Sequence, residues 1–140
     1  MRLRVAIACT ATVGIAVAAY LTIVHYTHTA PVCTTGGCEK VQHSRYAELA
    51  GVPVALLGLL TYVAIVVTTL RRGVGWALAG AVLALVGVAF SGYLLWAQLA
   101  RIHAICQWCV GNDVVVAVVA VLCVVRLLTE PASSPSSARA

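Results

Sequence analysis

The chain has 140 residues, of which 62% are hydrophobic and 9% are charged, and its formal net charge is +5. A soluble domain carries about 25% charged residues, so this composition excludes a water-soluble single domain and a disordered chain. The basic residues are scattered among apolar runs instead of being clustered. That arrangement excludes a nucleic-acid-binding domain and is typical of residues that orient a membrane protein.

Four apolar stretches reach, or nearly reach, the roughly 20 residues that cross a bilayer. We predict transmembrane helices over residues 5–25, 54–70, 74–100 and 106–125. Helices are expected because lipid offers no partner for backbone polar groups, which must be satisfied within each segment. A signal peptide is the alternative for the first stretch. That stretch is longer than a usual signal core and no A-x-A cleavage site follows it, so we expect an uncleaved span.

The basic residues predict the orientation of these four spans. One side of the membrane receives six arginines, namely Arg2, Arg4, Arg71, Arg72, Arg126 and Arg139. The positive-inside rule then places both termini in the cytoplasm and the long first loop outside. Residues 1–128 are therefore predicted to form one membrane domain. The Ser- and Pro-rich residues 129–140 are predicted to be a disordered cytoplasmic tail.

Four of the six cysteines fall on the predicted outer side, as two pairs. Cys33 and Cys38 flank a glycine pair, residues 36–37, that allows a turn tight enough to bring the sulfurs together. Cys106 and Cys109 form a C-x-x-C motif where the fourth span begins. An i, i+3 pair shares one helix face, and a helix N-terminus lowers the pKa of an exposed first thiol in such a motif.

Three interpretations of these pairs are open from spacing alone. They could be static disulfides, a zinc site assisted by His43 or His103, or redox-active dithiols. The C-x-x-C spacing at a membrane face favours the redox interpretation, because a dithiol there can exchange with a soluble thiol protein and pass two electrons to a lipid-dissolved acceptor. Cys9 and Cys123 lie within predicted spans and are interpreted as small hydrophobic residues.

The order of these features resembles the vitamin K epoxide reductase family. C-x-x-C alone is common, so the specificity comes from the sequence of a spaced pair, a serine, and then C-x-x-C heading the last span. The resemblance extends to about Val125. The matching residues are Cys33, Cys38, Ser44, Gly51-Val52-Pro53, Gly58, Tyr62, Ser91-Gly92-Tyr93-Leu94-Leu95-Trp96 and Cys106-Gln107-Trp108-Cys109.

The resemblance implies an all-α, four-transmembrane-helix bundle that encloses a quinone. The outward-facing first loop and a short amphipathic helix would cap the quinone site. Electrons would run from an external thioredoxin-fold dithiol partner to Cys33 and Cys38, then to Cys106 and Cys109, then to a menaquinone, ubiquinone or vitamin K type quinone. Cys33 would meet the partner, Cys38 would exchange with Cys106, and Cys109 would lie nearest the quinone.

The resemblance also implies residues that bind the quinone. Ser44 would donate a hydrogen bond to a quinone carbonyl, with a turn or cap hydroxyl as the alternative. Tyr62 and Tyr93 could line the pocket, with helix packing as the alternative. Asn112 and Asp113 stand where animal members of the family carry hydroxyl side chains. Asn112 could donate to a carbonyl, and Asp113 could bind the quinone or transfer a proton, or could be an interfacial acid.

We therefore interpret the chain as an enzyme, a quinone-linked membrane thiol-disulfide oxidoreductase that supports disulfide formation. We expect a bacterial inner membrane, a separate thioredoxin-fold partner protein, and no metal or nucleic acid. Within the first loop, Arg45 and Glu48 lie three residues apart and favour the short amphipathic helix. The alternatives are quinone or vitamin K epoxide reduction as the physiological role, or, from another class, a metal-binding or structural membrane protein.

Overall fold

The computed structural model describes residues 1–131, and most of the predicted tail, residues 132–140, lies outside the described residues. The chain is mainly helical. Its α-helices are α1 (Arg2–Thr27), α2 (Cys38–Gln42), α3 (Val54–Leu70), α4 (Val74–Ala97) and α5 (Gln107–Thr129). A 3₁₀ turn (Arg45–Ala47), a π turn (Gln98–Ile102) and two short strands, β1 (Glu48–Leu49) and β2 (Val52–Pro53), complete the described elements.

Three helical segments are long and apolar enough to cross a membrane, and they correspond to the first, third and fourth predicted spans. They are Arg2–Thr27, Val74–Ile102 and Gln107–Thr129. The second predicted span is α3, whose bounds agree with the prediction but which has 17 residues. At 1.5 Å per residue it is about 26 Å long, slightly less than the roughly 30 Å hydrocarbon core of a bilayer.

The four long helices pack in a closed order. α1 contacts α3 and α5, and α4 contacts the same two neighbours. Small side chains such as Ala11, Ala84 and Ala120 are buried between the helices, as expected where membrane helices approach closely. Large apolar side chains such as Leu85 and Val121 are exposed on the outside. The exterior is therefore apolar, as suits lipid.

Two arginines close one end of this arrangement by binding the last carbonyls of α3. Arg4 Nε donates to the Thr69 carbonyl at 2.7 Å. Arg126 donates to the Thr68 carbonyl at 3.1 Å and to the Arg71 carbonyl at 2.8 Å. Carbonyls at a helix C-terminus have no partner within the helix and carry partial negative charge. The arginines therefore anchor α3, the shortest of the long helices, to α1 and α5.

We expect Arg126→Leu to destabilise the protein by about 3 kcal/mol. The side chain is 3% exposed, and hydrogen bonds to charged groups contribute about 1.5–3 kcal/mol each. Thermal and denaturant unfolding in detergent micelles would measure the loss. Arg72→Leu is the matched control, because Arg72 is exposed and its replacement should change stability by less than about 0.5 kcal/mol. Equal effects of the two substitutions would contradict the anchoring role.

The loop between α1 and α3 contains one short α-helix and a β-hairpin. β1 and β2 pair antiparallel, with Leu49 opposite Val52. The two residues of the turn, Ala50 and Gly51, both have positive φ, at 52° and 81°, as a tight hairpin turn requires. The hairpin leads the chain directly into α3.

The amphipathic helix expected around Arg45 and Glu48 is not where the sequence suggested, and that prediction was wrong. Arg45 belongs to a three-residue 3₁₀ turn and Glu48 begins β1. Glu48 bonds the His25 ring at 3.0 Å instead of Arg45. The short helix of this loop is α2, which buries Cys38 and Val41. The helical conformation ends before residue 48, because Glu48 bonds to His25 of α1 and begins the hairpin.

Candidate functional site

The cysteine pair of the first loop and the C-x-x-C pair lie together at one end of the helices, in different redox states. Cys33 and Cys38 form a disulfide, with their Cα atoms 6.0 Å apart. Cys106 and Cys109 are free thiols. Gly36 between the bonded cysteines has φ 73°, a conformation that glycine adopts without strain. The sequence left the pairing open, and the structure assigns the disulfide to the first pair.

A small buried cluster brings the two pairs into contact. Its core consists of Cys38, Val41, Ile102 and Cys106, and Cys33 and Cys109 are among the partly buried residues packed against it. We call this group of residues the thiol cluster. Cys38 and Cys106 are both 0% exposed. An exchange between these two sulfurs would therefore take place away from water.

The two residues between Cys106 and Cys109 hold the first loop in place. Gln107 Oε1 accepts hydrogen bonds from the Thr34 backbone N–H at 3.1 Å and from the Thr34 hydroxyl at 2.6 Å. Trp108 Nε1 donates to the Val32 carbonyl at 2.6 Å. These roles could not be predicted from the sequence, because glutamine and tryptophan within C-x-x-C carry no signal for a partner about 75 residues away. The C-x-x-C motif itself thus positions the disulfide loop.

Close backbone contact also holds the first loop against the segment that precedes α5. A Cβ atom added at Gly37 would collide with the backbone of Ile105. Glycine is therefore needed at position 37 for close approach, whereas Gly36 is needed for its positive φ. The glycine pair serves both the turn and the contact between the two cysteine segments.

Cys106 precedes the first residue of α5 and caps the helix. Its sulfur accepts the Cys109 backbone N–H at 3.4 Å. The pKa of the Cys106 thiol is lowered to about 7, mainly by hydrogen bonding from the Cys109 thiol. The backbone N–H groups of Cys109 and Trp108 also lower this pKa, whereas burial raises it. The ordinary cysteine pKa is about 8.5. The lowered pKa predicted for the first cysteine of the motif therefore agrees with its N-cap position, although Cys106 is buried.

We expect the Cys106 thiolate to titrate near pH 7 in protein whose C-x-x-C is reduced. The thiol is protonated below this pH, so the thiolate fraction and its exchange rate should rise as pH increases from 6 to 8. The difference in ultraviolet thiolate absorbance between the native protein and Cys106→Ser would measure the titration. In Cys109→Ala the midpoint should move upward, because the main stabilising hydrogen bond is lost. A native midpoint at or above about 8.5 would contradict the assignment.

A cavity of about 360 Å³ lies beneath the thiol cluster, within the roughly 300–1,000 Å³ of typical small-molecule sites. Its wall comes from α1, α3, α4 and α5, and Tyr46, Ala47 and Leu49 of the first loop contribute to it. Most of the lining side chains are apolar. The polar and sulfur-bearing lining residues include Gln98, Cys109, Asn112 and Asp113.

Helical spacing on α5 brings Cys109, Asn112 and Asp113 to this cavity. Residues at i, i+3 and i+4 share one face. The Tyr62 hydroxyl of α3 donates to Asn112 Oδ1 at 3.0 Å. A Cβ at Gly14 of α1 would collide with the Tyr62 ring, so this glycine makes room for the tyrosine. Three predicted quinone residues, Tyr62, Asn112 and Asp113, therefore meet at one cavity.

Asp113 carries an unsatisfied polar atom. Its Oδ2 is buried and has no hydrogen-bond partner among residues 1–131. Ser91 of α4 lines the same cavity as Asp113. A buried carboxyl oxygen without a partner is suited to holding a proton or to bonding a ligand.

The structure does not bring the other two predicted quinone residues, Ser44 and Tyr93, to this cavity. The Ser44 hydroxyl donates to the Val41 carbonyl at 2.7 Å, which is the turn role that the sequence left as an alternative. Ser44 lines a separate pocket together with His25, among other residues. Tyr93 is 48% exposed, and its ring stacks on Trp96 with centroids 6.1 Å apart.

The remaining cysteines and histidines form no comparable site. Cys9 lies in α1 and is exposed, and Cys123 lies in α5 and is buried in the helix core. Among residues 1–131, no group of three His, Cys, Asp or Glu side chains is arranged to hold a metal ion. The chemistry-bearing groups that do converge are the four cysteines of the two pairs and the cavity next to them.

Comparison with known families gives one finding. The model of the vitamin K epoxide reductase family matches residues 5–125. The matched region contains the first loop with its disulfide, the C-x-x-C motif and every residue that lines the cavity.

Proposed function

The chain belongs to the vitamin K epoxide reductase family, and from this premise we propose that it is a quinone-linked thiol-disulfide oxidoreductase. In this proposal it oxidises an external thioredoxin-fold dithiol protein and reduces a quinone within the membrane. Family membership supports an oxidoreductase with redox-active cysteines. The substrates and the route of the electrons are the parts that we propose here.

One observation carries the proposal, namely the position of Cys109 between two environments. Its side chain packs against the thiol cluster and also lines the cavity of about 360 Å³. Cys33, at the other end of the series, is partly exposed. The four cysteines thus lead from the protein surface to an apolar cavity between membrane-length helices.

The transfer between the pairs balances as two disulfide exchanges. After the partner's dithiol has reduced the first pair, the Cys38 thiolate attacks Cys106 Sγ and expels Cys109 as a thiolate. Cys33 then attacks Cys38 Sγ and releases Cys106. The first pair ends oxidised and the C-x-x-C pair ends reduced. The structure has this distribution of bonds, with Cys33 joined to Cys38 and two free thiols at the motif.

The cavity suits a mostly apolar ligand with carbonyl groups. A bound quinone would supply the acceptor for two electrons and two protons. Tyr62 holds the oxygen of Asn112 at 3.0 Å, which leaves the Asn112 amide nitrogen to donate to a ligand. Asp113 Oδ2, buried and unpartnered, can carry a proton beside Cys109. Ser44 and Tyr93 have no part in this arrangement.

The proposal includes the orientation and the cellular site. Residues 1–128 would form a four-span membrane domain in a bacterial inner membrane, with both termini in the cytoplasm. The two arginines that anchor α3, Arg4 and Arg126, lie at the end opposite the thiol cluster. This charge distribution supports cysteines that face outward under the positive-inside rule. Disulfide formation in exported proteins would be the physiological purpose.

Reconstitution tests the proposed function. Proteoliposomes that contain the protein and a ubiquinone or menaquinone should oxidise a reduced thioredoxin-fold protein, forming one quinol for each disulfide. Parallel vesicles with vitamin K epoxide in place of the quinone test the epoxide alternative, which predicts faster turnover of the epoxide. Protein that reduces neither quinone, with its helices intact by circular dichroism, would overturn the proposal.

A further inference from the structure

Gln98 is a buried polar residue that takes no part in the proposed disulfide exchange between the cysteine pairs. It begins the π turn Gln98–Ile102 that follows α4. Its side chain is 2% exposed, yet it lines the cavity. π turns occur frequently at functional sites. The position therefore calls for a ligand-binding or structural explanation.

The hydrogen bonds of Gln98 fix the orientation of its amide. Oε1 accepts the backbone N–H of Cys106 at 2.8 Å. Because only the oxygen of an amide can accept, the Nε2 group is the end that remains free. Nε2 donates no hydrogen bond to another residue among residues 1–131. An amide with two free N–H donors therefore stands at a mostly apolar cavity.

Asn112 shows the same arrangement on a different helix. Its oxygen accepts the Tyr62 hydroxyl at 3.0 Å, and its nitrogen donates no hydrogen bond among the described residues. Two side-chain amides, one from the π turn and one from α5, thus line one cavity with their oxygens engaged by the protein. Each is left to donate to an acceptor on a ligand.

We propose that Gln98 is a carbonyl-binding residue of this cavity and donates from Nε2 to one carbonyl oxygen of a bound quinone. Asn112 is the donor to the other carbonyl. The inference rests on the proposed function and extends it, since it specifies a ligand with two carbonyl acceptors. Gln98 also holds the backbone of Cys106, so the residue that binds the ligand is bonded to the C-x-x-C motif.

Equilibrium binding of menadione to the purified protein, with Gln98→Met as the variant, tests the assignment. We expect the Kd to rise about tenfold, the loss that corresponds to one hydrogen bond. The infrared carbonyl band of bound ¹³C-labelled menadione should shift to higher frequency. A residue that only caps Cys106 would change the rate of exchange between the cysteine pairs and leave both the Kd and the carbonyl band unchanged, which would overturn the inference.

A second variant keeps the test decisive if Gln98→Met does not fold. In Asn112→Leu, one carbonyl of bound menadione should still show the lowered frequency of a hydrogen-bonded group. Loss of every lowered band in this variant would overturn the role of Gln98. Native protein that reduces quinone while Gln98→Met binds menadione normally would reject this inference alone. Native protein that neither binds nor reduces a quinone would reject the proposed function.

Discussion

Replacing Cys109 with alanine is expected to lower dithiol-dependent quinone reduction at least about a thousandfold, the scale of effect seen when a reacting nucleophile is removed. Cys109 is the cysteine that both packs against the thiol cluster and lines the cavity. Without it, Cys106 cannot form the second disulfide, and no sulfur is available to the ligand. The rate of quinol formation in proteoliposomes, with the partner dithiol in excess, measures the effect.

The chain supplies matched controls for this experiment. Cys9 and Cys123 are also free thiols in membrane-length helices, but neither lines the cavity or belongs to the thiol cluster. Cys9→Ala and Cys123→Ala should keep the native rate within about twofold. Retention of more than about a tenth of the native rate by Cys109→Ala would show that electrons reach the acceptor by another route.

Replacing Cys33 with alanine is expected to trap a disulfide between Cys38 and Cys106. The two sulfurs are fully buried in the same cluster. Once quinone has oxidised the C-x-x-C pair, the Cys38 thiolate can attack Cys106 Sγ and release Cys109, but the sulfur that would resolve the product is missing. Acid quenching, alkylation and peptide mapping without reductant should find this bond in most molecules, with Cys109 alkylated.

Cys38→Ala is the mirror variant and the control for the trap. Cys33 is partly exposed and lies outside the buried core of the thiol cluster, so it should not attack Cys106 efficiently. Most Cys38→Ala molecules should keep the Cys106–Cys109 disulfide after treatment with quinone. The proposed order of exchange would be contradicted if the two variants gave equal yields of mixed disulfide. These are the Cys33–Cys106 bond in Cys38→Ala and the Cys38–Cys106 bond in Cys33→Ala.

Local spacing explains which site residues could be predicted from the sequence. Cys109, Asn112 and Asp113 fall on one helix face, so placing the C-x-x-C motif at the start of α5 also places the polar residues that follow it. The bounds of α3 follow from the hydrophobic run between Pro53 and Arg71, since proline favours a helix start and the charged turn ends the span. These inferences need no knowledge of neighbouring helices.

Other residues could not be placed in this way. α4 is apolar around its whole circumference, so no pattern distinguishes the face that carries Ser91 from the face that carries Tyr93. Ser44 lies in a loop, where the hydroxyl can satisfy a nearby carbonyl as easily as a ligand. Gln98 was missed because a π turn changes the helical register, and no feature of the sequence marks the change.

The apolar spans, the two cysteine pairs and the family resemblance, which the match over residues 5–125 confirms, could all be recognised in the sequence. Those features follow from composition, short-range spacing and the order of motifs along the chain. Three features become visible only in the packed structure: which cysteine pair is bonded, which face of α4 lines the cavity, and the hydrogen bonds of Gln107 to Thr34 and of Gln98 to Cys106. Such contacts depend on how helices and loops that are distant in sequence pack together. When a helix is apolar on every side, its packing is determined by the shapes of its side chains. Those shapes cannot be read from the hydropathy pattern.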